Sequence, residues 1–304
     1  MSEPNTLKMG TNFDPALVSD LFNKVAGHSA IAKLSGQKAI PFTGEKEFTF
    51  NMTDGVQIVG EGGQKKDNTL AMEPVVIKPI KMVYQARITD EFLRASAEQK
   101  LNYLKAFNDG AAVKYAEALD LAALHGINPY TGKEAAFYDT NSFDGVVGLT
   151  EIDKTKNLDD EIDTAISGID ADVNGLALSK TAASEMSKIK VNGVVQYPEF
   201  RFGGKPATFA GMTCDVNKTV AAAPTDADED YEDAVVLGDF TNAFKWGYAA
   251  NMPLEVIQYG DPDGQGRDLK QYNEVCLRLE AYIGWGILDK DRFAVLGNTE
   301  ESDS

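Results

Sequence analysis

The chain has 304 residues, 43% hydrophobic and 25% charged, the composition of a protein with a packed core, and its length admits either two lobes or one large domain. Its 47 acidic residues against 29 basic ones leave a formal net charge of -18, which excludes tight binding of nucleic acid through neutralised phosphates. A wall that encloses nucleic acid without gripping it is not excluded.

Residues 1–45 mix apolar patches with polar, glycine-containing stretches. Phe13, Leu17, Val18, Leu21, Phe22 and Val25 fit one helical stripe behind Asp14-Pro15, an N-cap and first-turn pair. The remainder of this segment reads as an extended arm whose partners lie elsewhere. Glu47–Met52 alternates polar and apolar residues and predicts a half-buried strand. Val75–Tyr84 is rich in β-branched residues, with Pro79 marking an edge or a bulge. Between them, Gly60, Gly62, Gly63 and Lys65-Lys66-Asp67 form a long polar tip. The pair predicts an extended hairpin with too little apolar surface to stand alone, lying on another subunit.

A short start at Thr89-Asp90-Glu91 precedes the longest helical pattern, Ala97–His125. Leu101, Leu104, Phe107, Ala111, Tyr115, Ala118, Leu119 and Ala122 share its stripe, and Gly110 weakens it locally. At 1.5 Å per residue this helix runs about 43 Å, and Gly126 followed by Pro129 stops it. His125, beside the C-terminus, is expected as a surface or core histidine. Further on, Leu158–Ile169 predicts an amphipathic helix and Gly175–Ser179 a strand. Thr181–Ile189 predicts a helix ended by Val191-Asn192-Gly193. Thr225–Asp233 reads as a solvated acidic loop, Val235–Phe240 as a buried strand, and Glu274–Tyr282 as a long alternating strand. The acidic tail from Thr299 is expected to be disordered. Helices and strands in no strict alternation give an α+β fold.

Chemistry-bearing motifs are sparse. With only His28 and His125, no metal-ligand spacing exists. Gly126–Lys133 fails as a phosphate loop, because the interval is wrong and Glu134 stands where a hydroxyl is needed. Asp226, Asp228, Asp230 and Asp233, and Asp261-Pro262-Asp263-Gly264, lack the full Ca²⁺ ligand series. Cys214 and Cys276 are expected to be reduced and mostly buried. No catalytic, cofactor-binding or metal residue is nominated. The polar start at Met1–Gly10 lacks a secretory pattern and no run reaches the roughly 18 apolar residues of a membrane span, so the expectation is a cytoplasmic chain with no membrane partner.

The order of segments resembles the major capsid proteins of tailed double-stranded DNA bacteriophages, the HK-ninety-seven-like shell fold. Val59-Gly60-Glu61-Gly62 with Lys65-Lys66-Asp67 is similar to the hairpin tip of that family. Val76–Lys81 followed by Ile88–Leu93 resembles its strand and short helix, and Glu117–Gly126 the end of its spine helix. Leu178-Ser179-Lys180-Thr181, Phe209-Ala210-Gly211-Met212, Leu237-Gly238-Asp239-Phe240 and Asn273–Tyr282 continue the likeness; Thr213 stands where the family often has proline.

The resemblance implies an N-terminal arm (1–45), an extended hairpin (46–85) and a peripheral domain (86–135 and 252–289) with spine helix 97–125. It further implies an axial domain (136–251 and 290–298) and a tail (299–304). It also implies a non-enzymatic subunit that forms homo-pentamers and homo-hexamers of an icosahedral shell, assembled in the host cytoplasm around packaged DNA that it touches weakly. Scaffolding, portal and decoration proteins are the implied partners. Glu61, Lys65, Lys66 and Asp67 are the candidate inter-subunit contacts, expected as a solvated or salt-bridging tip. The alternatives are an encapsulin-type nanocompartment shell and, from another class, an α+β hydrolase.

Overall fold

The computed structural model describes residues 24–25, 27–52, 58–59, 61, 64, 70–135, 141–225, 230–249 and 254–300. The first regular element with described bounds is helix α1 (Ala30–Leu34), whose Ser29 side chain caps it by accepting from the Ala32 N–H. Ala30, Ile31, Ala32, Leu34 and Ile40 are all buried. The segment expected to be a free arm is therefore, over its described C-terminal part, a piece of the subunit's own core. Most of the stripe predicted around Phe13–Phe22 lies outside the described residues; its last member, Val25, is buried.

Strands β1 (Glu45–Met52) and β2 (Leu70–Ile77) pair antiparallel, with Glu45 opposite Ile77 and Met52 opposite Leu70. The sequence pattern ran the second strand on to Tyr84. The chain instead breaks at Lys78-Pro79 and restarts as β3 (Ile80–Thr89) in a different sheet. Proline donates no N–H and restricts the residue before it, so the ladder changes partner there.

Helix α2 (Glu91–Arg94) leads into α3 (Ala97–His125). Ser96 accepts from the Gln99 N–H while the Gln99 side chain accepts from the Ser96 N–H, a reciprocal cap. Gly126, at φ 65°, closes the other end in the left-handed conformation that glycine adopts without strain. Leu104, Ala111, Tyr115, Ala118, Leu119 and Ala122 of the predicted stripe are buried, while Leu101 is exposed. Toward its C-terminus α3 also buries Ala112, Ala116, Asp120, Ala123 and Leu124, so this half is enclosed on most sides.

There follow α4 (Phe143–Val146), β4 (Leu149–Glu151), α5 (Leu158–Gly168), β5 (Gly175–Leu178) and α6 (Lys180–Met186). A small hairpin, β6 (Lys190–Val191) and β7 (Val194–Val195), turns through Asn192 and Gly193 with positive φ. Strands β8 (Thr208–Phe209), β9 (Met212–Val216), β10 (Asp230–Gly238), β11 (Phe244–Tyr248), β12 (Leu254–Ile257), β13 (Glu274–Ile287) and β14 (Phe293–Glu300) complete the fold. Two sequence expectations move here. Asp230–Asp233 belong to β10 and not to an acidic loop, because they pair with Gly297–Glu300 of β14. By the same pairing Thr299 and Glu300 are strand; the rest of the predicted tail lies outside the described residues.

One sheet is built on β13, which pairs with β3 along one edge and with β12 and then β11 along the other. The larger sheet is mixed, in the order β4-β14-β10-β5-β9-β8. The first core fills the space between α1, α3 and the β13 sheet and includes a group of rings from Phe143, Phe240, Phe244 and Phe293. The second lies under α5 and α6 against the larger sheet, with Leu158, Leu176, Met186, Phe200 and Leu237. Cys214 and Cys276 are buried free thiols, and burial pushes Cys214 up to about 11.

Residues 35–40 run along β11. The Trp246 indole N–H donates to Ser35 O at 2.7 Å, and the Lys38 N–H donates to Trp246 O at 2.9 Å. Gly247 lets that strand approach: a Cβ added there would stand 1.7 Å from Lys38 O. Gly247→Ala is expected to cost about 1–3 kcal/mol by overpacking. Gly110, exposed within α3 with open space about its Cα, has the opposite sign, and Gly110→Ala should stabilise by about 1 kcal/mol through helix propensity. Urea unfolding of the two variants beside the parent chain checks both signs.

Candidate functional site

The hairpin is held at its root. Ile77 is fully buried against two glycines of β13, and a Cβ on Gly286 would meet its side chain at 2.8 Å. Lys245 of β11 pairs with Glu45 at 2.5 Å and Glu47 at 2.6 Å. Burial works against the Lys245 charge, but the two carboxylates outweigh it and raise its pKa. Phe48 and Val76 beside the root, and Ile58 and Val59 away from it, are exposed. Of the four residues predicted to touch a neighbour, Glu61 is exposed, whereas Lys65, Lys66 and Asp67 lie outside the described residues.

A second charged group fixes the loop between β12 and β13. Arg87 of β3 meets Asp261 at 2.7 Å, Glu274 at 3.2 Å and Asp263 through a paired contact. Asp261 also accepts from the N–H groups of Gln265, Gly266 and Arg267, which sets the turn. The hydrogen bond from Arg87 holds the Asp263 carboxyl well below the ordinary carboxylate range. Asp261 and Asp263, one of the two sets weighed for Ca²⁺, thus already face a guanidinium, which fills the electrostatic role of a cation.

The third group is buried, and although the sequence singled out His125 and Asp233 separately, it gave no sign that they join Asp120 there. Asp120, near the C-terminal end of α3 and fully buried, takes hydrogen bonds from the Ala30 N–H at 2.9 Å, the Ile31 N–H at 3.2 Å, the Thr219 hydroxyl at 2.8 Å and the Ser29 hydroxyl. Burial pushes its pKa up to about 6 despite these donors. The carbonyl of the same Thr219 accepts from His125 Nε2 at 2.8 Å. His125 Nδ1 faces Asp144 Oδ2 at 2.9 Å and Asp233 Oδ2 at 3.6 Å. Burial opposes charge on the imidazole, but Asp144, Asp233 and the Thr219 carbonyl prevail and raise its pKa. Burial first, and the nearby Asp144 charge second, hold Asp233 well above its ordinary value. A continuous polar thread thus ties α1, α3, α4, β10 and the Lys218–Ala221 turn.

None of these groups combines an open cleft with a nucleophile and a base; they fasten segments together. A curated relative, a probable major capsid protein of Mycobacterium phage L5, is 23% identical over 96% of this chain and 90% of its own length. A solved structure from Mycobacterium phage Ogopogo is 31% identical, with a TM-score of 0.74 over 89% of this chain and 92% of that one. The chain belongs to the major capsid proteins of tailed phages. It is a structural subunit of a capsid shell, with the HK-ninety-seven-like fold that its segment order resembles. The capsid subunit of a native GTA particle shares that fold at 14% identity, with a TM-score of 0.60 over 90% of each chain. No family model matches the chain. These relatives do not favour the nanocompartment or hydrolase alternatives.

For this capsid subunit, Asp120→Asn is the sharpest probe of the buried thread. One carboxylate oxygen receives the Ala30 N–H and the other the Ile31 N–H, so an amide sets an NH₂ against a backbone N–H whichever way it turns. The expected loss is about 1–3 kcal/mol in thermal unfolding at neutral pH. The folded pKa of Asp120 stands above its ordinary 3.8, so the fold binds that proton more tightly than the unfolded chain does. Its contribution is most favourable below about pH 4 and declines as pH rises through about 6. Stability measured across that window should fall in the parent and lose this component in Asp120→Asn.

Proposed function

We propose that copies of this chain close into pentamers and hexamers of an icosahedral shell around packaged double-stranded DNA. The hairpin Glu45–Ile77 would reach onto a neighbouring subunit. The observation that carries this reading is the hairpin's anchorage: it is pinned at Ile77, Glu45 and Glu47 and exposes Phe48 and Val76 just beyond. A two-stranded ribbon is at best marginally stable alone and gains stability when a partner buries it. Glu61, Lys65, Lys66 and Asp67 are then the contacts made by its tip.

The same reading divides the body in two. The β13 sheet with α3 makes the peripheral domain, and the six-stranded sheet with α5 and α6 makes the axial domain near the capsomer centre. The residues before α1 make the arm. The chain works as a wall and carries out no catalytic step. Its net charge of -18 suits a wall that does not hold packed DNA, since like charge repels the phosphates. Assembly takes place in the host cytoplasm, with scaffolding and portal proteins as partners and a decoration protein outside.

Expression with and without a scaffolding protein, followed by negative-stain microscopy, tests the reading; closed particles containing nucleic acid support it, and a stable monomer under every condition opposes it. Glu61→Ala and Lys65→Ala/Lys66→Ala should leave the unfolding midpoint of the free subunit unchanged. Shell yield should fall several-fold, because loss of about 1 kcal/mol per contact is roughly a factor of five in each association step. Unchanged yields would remove these residues from the contact.

A further inference from the structure

His125 ends the long helix, Asp144 lies in the four-residue α4, and Asp233 lies in β10. These residues are 19 and 89 positions apart along the chain, yet one imidazole nitrogen and one oxygen from each carboxylate lie within 4.8 Å of one another. We propose that His125, Asp144 and Asp233 bind a single divalent transition-metal ion of the zinc class.

Three observations carry the assignment. The carbonyl of Thr219 can only accept, so His125 Nε2 bears a proton and donates it at 2.8 Å. In a neutral ring this fixes the tautomer with the Nδ1 lone pair directed at the two carboxylates. A backbone carbonyl on the far nitrogen is the usual outer partner of a metal-binding histidine, because it sets the ring and raises its basicity.

Next, Asp233 is 1% exposed, and no backbone or cationic donor among the described residues reaches its oxygens; the side chain against it is another carboxyl, that of Asp144. Its nearest cationic candidate is His125 Nδ1 at 3.6 Å, too long for a hydrogen bond. A proton on Nδ1 would serve Asp144 at 2.9 Å and leave Asp233 with the Asp144 carboxyl as its one side-chain partner among the described residues. An ion between the three would serve all of them.

Finally, charge and distance both fit. Two carboxylates and a neutral imidazole carry a charge of -2, which one divalent ion cancels in a place where net charge is costly. Ligands about 2.1 Å from a tetrahedral zinc ion stand ~3.4 Å apart. The separations of 2.9 Å and 3.6 Å bracket that value. Imidazole with carboxylates suits zinc better than calcium or magnesium, which prefer all-oxygen shells. The ion would fasten the end of α3 to the larger sheet, and because the site is buried it would be acquired during folding.

The test uses the untagged full chain, unfolded in guanidinium with a chelator and refolded either with zinc chloride or with chelator alone. After gel filtration, elemental analysis should find about one zinc per chain in the first sample, and its melting midpoint should exceed the second by about 5 °C. Asp233→Asn, of similar shape, should remove the bound zinc and the difference between the two refolding conditions. Zinc-free parent protein with coincident melting curves would show that protons alone close the cluster, and the proposal would fall. Zinc retained in full by Asp233→Asn would mark an adventitious ion elsewhere and overturn it as well. Should that variant not fold, the parent's metal content and paired melts still decide.

Discussion

The four donors that meet the Asp120 carboxylate come from residues 89 to 99 positions away, on both sides of it in the chain. Ordering a residue costs roughly 1–2 kcal/mol of backbone entropy. The segment around α1 offsets that cost by burying Ala30, Ile31, Ala32 and Leu34 under the long helix. Apolar contact alone would allow that short helix to slide. A carboxylate with one backbone N–H on each oxygen admits only one seating, and the hydroxyls of Ser29 and Thr219 extend the restraint to a third segment. The buried charge is tolerated because its hydrogen-bonding capacity is filled, the condition under which a low-dielectric interior accepts an ionisable group.

Much of the body was legible from local pattern. Both ends of α3 follow from residues at its termini, with Gly126 in the left-handed conformation as its position foretold. The root of the hairpin follows from alternation in Glu47–Met52, and the strand Gly175–Leu178 from its uninterrupted apolar run. What stayed hidden needed partners distant in sequence. Five apolar and basic residues, Ala30–Leu34, are too few to show a helical period, so their docking onto α3 could not be read. Asp233 looked like part of a solvated loop because five acids precede it between residues 226 and 232, and only its pairing with Gly297 turns it inward. At Pro79 the pattern announced an irregularity but not that the chain would leave one sheet for another.

The charged groups were harder still, since composition counts charges without placing them. Asp261 and Asp263 gather around Arg87, which is 174 and 176 positions away. Asp239 is buried and takes hydrogen bonds from Asn174 and Asn242 and a single contact from Arg292. In each case the acid organises a turn at the edge of a sheet, where backbone N–H groups have no ladder partner. The family resemblance indicated the architecture but not these fastenings, because segment order says nothing of which side chains meet.

A shell subunit faces two opposed demands. Its body must fold with little help, or free subunits would aggregate through exposed core, yet its contacts must be weak enough singly to correct errors during closure. The structure divides these demands along the chain. The polar thread from Asp120 to Asp233 and the two apolar cores lie inside the body, where mismatches are costly and the geometry is unique. The hairpin is fixed at its root, where Ile77 seats on the β13 glycines and Lys245 bridges two carboxylates. Beyond that root, Phe48, Ile58 and Val59 are exposed. Stability is therefore concentrated inside the body, and exposed apolar surface is carried on a limb whose direction the body sets.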